Sequence, residues 1–315
     1  MVKPINKAFV ISVGCGPDQE PLIRAAQNMG FKVIGIDRKN GLNLVDELIL
    51  QSTFDSHVVL EIIKKHKNVG NINGVLCRAS AYALETADGL ARFLNLPRFG
   101  ELVTQASISK AKLHKICRSK NIETIPLISI EEITSHNKNA FYIVKPDIPK
   151  TGKKNVFMVN YDKLDDAMID AKKDSFNLKA IIQPYVDGED VNAFVAFKSS
   201  EIIWYDLFIE RNTFVSTRIN SSKILPLRGK EKKTLDEKII PIIKKIVRFE
   251  SISGFVSFSF RIDTFGNCFL YEMNPGLCGD NIANEFLPSI WDTDFFELDV
   301  KIMTGLFTTE LDRRV

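Results

Sequence analysis

The chain has 315 residues, of which 45% are hydrophobic and 26% charged, and its formal net charge is +3. These proportions exclude a disordered, collagen-like or low-complexity chain, and the length suits two or three domains of ordinary size. A nearly even charge balance gives no reason to expect a nucleic acid or an anionic membrane as partner.

Five cysteines (Cys15, Cys77, Cys117, Cys268 and Cys278) form neither a C-x-x-C pair nor a zinc-spaced cluster. They read as buried thiols in a reducing compartment. The apolar run Ala8–Val13 is too short for a signal peptide, and no stretch approaches the ~20 apolar residues of a membrane helix. A cytoplasmic protein is expected.

In chain order, Phe9–Val13 reads as a buried strand ending in the turn Gly14-Cys-Gly16. Apolar residues at Leu22, Ile23, Ala25, Ala26 and Met29 then mark one face of a helix. A second strand, Lys32–Ile36, ends at Asp37. Val58–His66 predicts a helix, Gly74–Cys77 a strand and Ala83–Leu94 another helix. Strands alternating with helices imply a parallel sheet. Gly14-x-Gly16 followed by Asp37 invites a dinucleotide site, but position 19, where the fingerprint needs a third glycine, is Gln19. A tight strand–helix turn explains the two glycines equally well.

Ser107–Ser119 predicts a basic helix, and Asn121–Pro126 a bend into a strand. Phe141–Lys145 and Val156–Val159 predict a hairpin whose tip is the polar segment Thr151–Asn155. Leu164–Lys173 predicts a helix and Ala180–Gln183 a strand. Beyond it the pattern becomes antiparallel: strands at Val191–Phe197, Ile202–Ile209, Phe255–Ile262 and Cys268–Met273, with an amphipathic helix at Leu235–Phe249.

Period-two alternation puts Ser257, Ser259 and Arg261 on one face of their strand, and Glu272 and Asn274 on one face of the next. A carboxylate beside an amide oxygen, with an arginine nearby, suits magnesium and polyphosphate; a solvated sheet face fits the same alternation. Lys145, at the end of an apolar strand, and the loop Thr151-Gly-Lys153-Lys154 could approach phosphates, or could be surface lysines on an exposed hairpin.

Taken together, the order of these pieces resembles the ATP-grasp superfamily over nearly the whole chain. Ser109-Lys110, eleven residues before Asn121, is similar to the family's first phosphate lysine ahead of its bend. Ile143-Val-Lys145-Pro is similar to the second lysine, and Thr151–Val156 to the phosphate loop of the lid, with Thr151 and Lys153 facing nucleotide. Ile181–Asp190 resembles the interdomain hinge, and Gly266–Pro275 the "E-x-N-P" metal strand. The segments Gly279–Leu287 and Trp291–Phe296 resemble the tail of the carboxylate–amine ligase branch, as in L-amino acid ligases, with biotin carboxylases as further relatives. The opening Gly16–Ile23 points the same way.

The resemblance implies an ATP-grasp fold of mixed α/β and α+β class. Its parts would be an N-terminal parallel α/β domain at 1–105, a small lid at 106–190 and a larger antiparallel subdomain at 191–315. It implies ATP and Mg2+ (or Mn2+) as cofactors, with a small carboxylate and an amine as substrates, and allows a homodimer. Lys110 and Lys145 would neutralise phosphates. The Gln183 carbonyl and the Val186 N–H would read adenine, Asp190 would bind ribose, and Glu272 and Asn274 would hold the metal. Arg261, or else Arg218, would stabilise an oxyanion, and Arg78 and Ser80 would line the substrate cleft. A carboxylase, another nucleotide-pathway ligase, and a nucleotide binder without turnover are the alternatives. Two positions depart from the family: Ser257 and Ser259 stand where an acidic or amide metal ligand is usual, and Gly276 stands where an arginine is usual.

Overall fold

In the computed structural model residues 8–39, 43–133, 139–150, 155–215, 218–277 and 282–308 are described, with 212–215 and 218–222 as backbone alone. Strands β1 (Phe9–Val13), β2 (Lys32–Asp37), β3 (Glu47–Leu50) and β4 (Ile72–Leu76) form a parallel sheet in the order β3-β2-β1-β4. Continuous apolar runs such as Phe9–Val13, buried at every residue, belong in such a sheet because helices cover both faces. Helices α1 (Glu20–Asn28) and α2 (Ser56–Lys64) make the crossovers, and α3 (Tyr82–Phe93) follows β4. The β3 strand was not expected, since its apolar residues span only one short turn-bounded stretch.

The Gly14-x-Gly16 turn closes on itself. The Cys15 N–H donates to the Asp37 carboxylate at 2.9 Å, and the Gly16 N–H donates to the Gln19 side chain at 3.0 Å. The amides that would cradle a dinucleotide phosphate are thus already paired, and Asp37 is part of the turn.

The second sheet has eight strands in the order β12-β11-β8-β9-β10-β6-β5-β7. Its members are β5 (Tyr142–Pro146), β6 (Phe157–Val159), β7 (Ala180–Pro184), β8 (Gly188–Lys198), β9 (Glu201–Val215), β10 (Arg218–Pro226), β11 (Gly254–Asp263) and β12 (Cys268–Pro275). The β10 strand is new relative to the sequence reading. Its polar sequence looks like a loop, and only pairing with β9 makes it a strand. Through the single pair Arg218↔Phe157 it also joins the small hairpin to the large sheet. The strand expected directly after Pro126 is reduced, over 127–133, to one bridge, Ile128↔Ile182.

The expected helix Ser107–Ser119 is two helices, α4 (Glu101–Ile108) and α5 (Lys110–Ser119). Ser109 breaks them apart with an extended backbone and caps α5, its hydroxyl accepting from the Lys112 N–H. Helix α6 (Leu164–Lys173) covers the small hairpin, and α7 (Gly229–Val247) covers one face of the large sheet with Ile239, Ile243, Ile246 and Val247.

The chain ends in a π-helical segment (Ile282–Phe286), α8 (Leu287–Ile290) and α9 (Phe295–Met303). These pack with the parallel sheet as well as with the large one. Trp204 on β9 meets Trp291 and Phe295 edge-on, with ring centroids 5.4 and 5.0 Å apart. Leu277 and residues within 282–307 therefore share a core with the described residues of 8–99, while 103–122 share one with β8, β11 and α7.

Gly276 lies at this junction. Its φ is +88°, and a Cβ there would stand 2.8 Å from the Cys77 carbonyl oxygen. An arginine cannot occupy the position without moving β4 away from β12.

Candidate active site

Chemistry concentrates on one face of the large sheet. The register sets Ser257 opposite Asn274 and Ser259 opposite Glu272, then slips by one residue so that Phe260 faces Leu270. The residue left over is Tyr271. Without this bulge, Leu270 would share a face with Glu272; with it, Leu270 joins Phe258, Phe260 and Met273 in the core while Glu272 turns into the cleft. The same face continues along β8 with Asp190 opposite Arg261 and Asn192 opposite Ser259, and along β9 with Glu210 opposite Asp190.

Two lysines converge on this face. Lys110, first residue of α5, has its Nζ 3.8 Å from Glu272 Oε1. Lys145, buried on β5, has its Nζ 5.3 Å from the Tyr271 ring centroid. Burial, with the Lys110 ammonium adding to it, lowers the Lys145 pKa from 10.5 to about 8, against the opposing pull of Glu272 and Asp190. The Tyr271 hydroxyl is pushed well above its ordinary value by burial and by Asp190, Glu210 and Glu272 around it.

The convergence depends on Asp147, which sequence reasoning missed. Its carboxylate accepts from the Ser109 hydroxyl and the Ala111 N–H, both at 2.8 Å, and from the Asn177 amide at 2.7 Å. An acidic side chain at a helix N-terminus satisfies orphan N–H groups and complements the dipole. Here it also ties the end of β5, with Lys145, to the start of α5, with Lys110.

Arg261 serves the hinge between β7 and β8. Its Nε donates to the Val186 carbonyl at 2.8 Å, one Nη donates to the Tyr185 hydroxyl at 3.1 Å, and the other lies 3.1 Å from the Asp190 carboxylate. The guanidinium is thereby tied to the hinge by all three contacts. Asp190 carries an arginine partner that sequence reasoning did not assign to it. The Gln183 amide donates to the Ile125 carbonyl at 2.8 Å, so its buried side chain braces the bend after α5.

Arg78 lies two residues beyond the end of β4 and reaches both halves of the molecule. It donates to the Asp18 carbonyl at 2.9 Å and to Asn284 at 3.2 Å, with its guanidinium 5.1 Å from the Phe296 ring centre. Thr151, Gly152, Lys153, Lys154, Gly279 and Asp280 lie outside the described residues, as does the Arg218 side chain.

For a cation, the face offers oxygen only: the Glu272 carboxylate, the Asn274 amide and the Ser259 hydroxyl, side by side in register. Among the described residues no three His, Cys, Asp or Glu side chains cluster as a metal cage. One carboxylate with neutral oxygens fits a hard cation such as magnesium, which takes its remaining ligands from water and phosphate.

Neither a protein-family model nor a curated protein matches the chain. Solved structures do. An L-amino acid ligase from Bacillus licheniformis superposes with a TM-score of 0.75 at 17% identity, covering 99% of this chain and 78% of that one. N5-carboxyaminoimidazole synthetase from Staphylococcus aureus, complexed with ADP, gives 0.74 at 18% identity, over 96% and 79%. Phosphoribosylglycinamide synthetase from Anaerococcus prevotii gives 0.69 at 16%, over 95% and 75%. At these identities the likeness is one of fold, and the chain has the ATP-grasp fold. Among the described residues no helix is long and apolar enough to cross a membrane.

Proposed function

We propose that this chain is an ATP-dependent ligase that joins a small carboxylate to an amine through an acyl phosphate. The observation that carries the reading is the convergence of buried Lys145 and of Lys110 on the strand bearing Glu272 and Asn274. Two cations held before any ligand arrives are costly to keep together, and a polyphosphate is the ligand that repays the cost. The fold is shared with enzymes whose names record ligation, one of them as an ADP complex.

A carboxylate does not react with an amine at neutral pH because its carbonyl carbon is a poor electrophile. In the proposed reaction a carboxylate oxygen attacks the γ-phosphorus of ATP and ADP leaves. The amine nitrogen then attacks the acyl carbon, phosphate leaves, and the nitrogen gives up a proton. Phosphoryl transfer asks the protein mainly for positioning and charge. Lys110 and Lys145 supply positive charge to the phosphates. The 183–186 hinge borders the adenine, its course fixed by Arg261, and Asp190 faces the ribose. Glu272 and Asn274 are the residues that would hold Mg2+, which when bound neutralises phosphate charge. In this reading Arg78, which bridges Asp18 and Asn284, meets the carboxylate substrate. ATP as cosubstrate and the free Cys15, Cys77, Cys117 and Cys268 suit work in the cytoplasm.

A second reading, nucleotide binding without turnover, is favoured by one observation: Ser259 stands opposite Glu272 where a second acidic ligand would strengthen the cation site. One experiment separates the two. ATP, Mg2+ and hydroxylamine are supplied with pooled carboxylic acids, and ADP and hydroxamates are measured by mass spectrometry. The ligase reading expects a hydroxamate that is absent with Lys145→Ala. A protein that binds ATP yet gives neither ADP nor hydroxamate would overturn it in favour of the second.

A further inference from the structure

The polar face holds a hydrogen-bonded chain that the nucleotide reading leaves unused. Asn192 on β8 donates its amide N–H to Glu210 Oε2 on β9 at 2.7 Å, and Ser259 on β11 donates its hydroxyl to Asn192 Oδ1 at 2.6 Å. All three side chains belong to buried residues: Glu210 is 7% exposed, Asn192 7% and Ser259 8%. Their direction follows from chemistry. An amide oxygen turned toward the Glu210 carboxylate would meet only lone pairs, so the NH2 must face Glu210 and the oxygen must face Ser259. That oxygen can only accept, so the serine proton is committed to it. A hydroxyl has one proton and two lone pairs. Both lone pairs of Ser259 therefore remain for an electron-poor partner, and no described group donates to them.

The Ser259 oxygen faces the cleft directly opposite Glu272. We propose that Ser259 is a cation ligand in its own right, a neutral oxygen whose lone pairs Asn192 and Glu210 aim beside Glu272 and Asn274. The inference rests on the proposed nucleotide site and adds a consequence specific to this chain. With a neutral oxygen at this position, Glu272 is the only carboxylate among the three proposed ligands, and Glu210 acts from behind Asn192. Such a set is too weakly charged to hold a divalent cation alone, so the cation and the nucleotide phosphates enter together.

The test is Mn2+ titration followed by the electron paramagnetic resonance of the free ion, with and without ADP, beside ADP titration in EDTA. Wild-type protein is expected to bind Mn2+ only with ADP present. Ser259→Ala should weaken Mn2+ in the ADP complex about 5- to 10-fold and leave ADP affinity in EDTA unchanged. Ser259→Thr, which keeps the hydroxyl, should match wild type. Ser259→Asp should bind Mn2+ without nucleotide. Thermal melts of each variant identify loss of folding. Equal Mn2+ affinity in wild type and a folded Ser259→Ala would overturn the inference while leaving the nucleotide site intact. Absence of ADP binding by wild type in both conditions would overturn the nucleotide reading and this inference with it.

Discussion

The Ser109 hydroxyl donates to the Asp147 carboxylate at 2.8 Å, and this contact links two elements that each carry a lysine into the cleft. Asp147 is buried and also receives the Ala111 N–H and the Asn177 amide. Asp147→Ala strands those donors and frees the start of α5 from the end of β5. The expected losses are about 2–3 kcal/mol of stability and about tenfold in ADP affinity. Denaturant unfolding reads the first and ADP titration the second. Unchanged ADP affinity in a destabilised but folded variant would show that the clasp does not set the lysine positions.

Lys145 makes the site sensitive to alkaline pH in two opposite ways. Its folded pKa is about 8 against 10.5 for an ordinary lysine. Between those values the unfolded chain holds a proton that the folded chain has lost, so this group makes the ligand-free protein more stable as pH rises across that window. Phosphate binding needs the ammonium, so ADP affinity should fall as pH rises through about 8. Lys145→Arg, charged throughout, should flatten that fall. Calorimetric titration of ADP between about pH 6.5 and about 9.5 checks both; an identical slope in wild type and variant would remove Lys145 from the phosphate site.

What the sequence made legible was local. Alternation was enough to put Glu272 beside Asn274 and to separate both from Met273, and buried apolar runs were enough for the parallel sheet. The bulge at Tyr271 was not legible, because nothing in Leu270-Tyr-Glu272 says that β11 will pair out of step. Asn192 and Glu210 were invisible for a similar reason. They are 67 and 49 residues from Ser259, and only the strand order β11-β8-β9 brings them beside it. Asp147 looked like a loop residue, since a helix cap supplied from another strand leaves no spacing signal. The polar β10 carries too little alternation to declare itself, and becomes a strand because β9 offers it an edge.

Three aromatic rings hold the small hairpin layer against the parallel sheet. Phe54 precedes α2, Tyr82 opens α3, and Phe176 follows α6. Their centroids are 5.4 Å apart for Phe54–Phe176, 5.7 Å for Tyr82–Phe176 and 5.9 Å for Phe54–Tyr82, all edge to face. Because Phe176 is 37% exposed, its removal should cost little globally. Edge-to-face pairs contribute about 0.5–1.5 kcal/mol each, enough to hold one layer on another. Phe176→Ala is expected to leave the melting temperature within a few degrees and to raise amide hydrogen exchange in β5, β6 and β7. Exchange that rises equally in the parallel sheet would mean the rings stabilise the whole molecule and do not govern this layer.

Asp299 on α9 is a buried carboxyl with little compensation. It is fully buried, and neither oxygen has a hydrogen-bond partner of ordinary geometry. Burial raises its pKa from 3.8 to about 7, with the nearby Phe255 backbone drawing it down only in part. Between those pH values the folded chain binds a proton that the unfolded chain has released. Stability from this group therefore falls as pH rises from about 4 to about 7, and above that the fold carries an ionised carboxylate in its core. Asp299→Asn removes the charge while keeping the shape. It is expected to stabilise the protein by about 1–2 kcal/mol at pH 8, with the gain shrinking steadily toward pH 5, where wild-type Asp299 is already neutral. Urea unfolding of both proteins across that range measures the difference directly. A gain that does not change with pH would mean the carboxyl stays neutral throughout, and a loss at pH 8 would mean the ionised form has a partner that holds α9 in place.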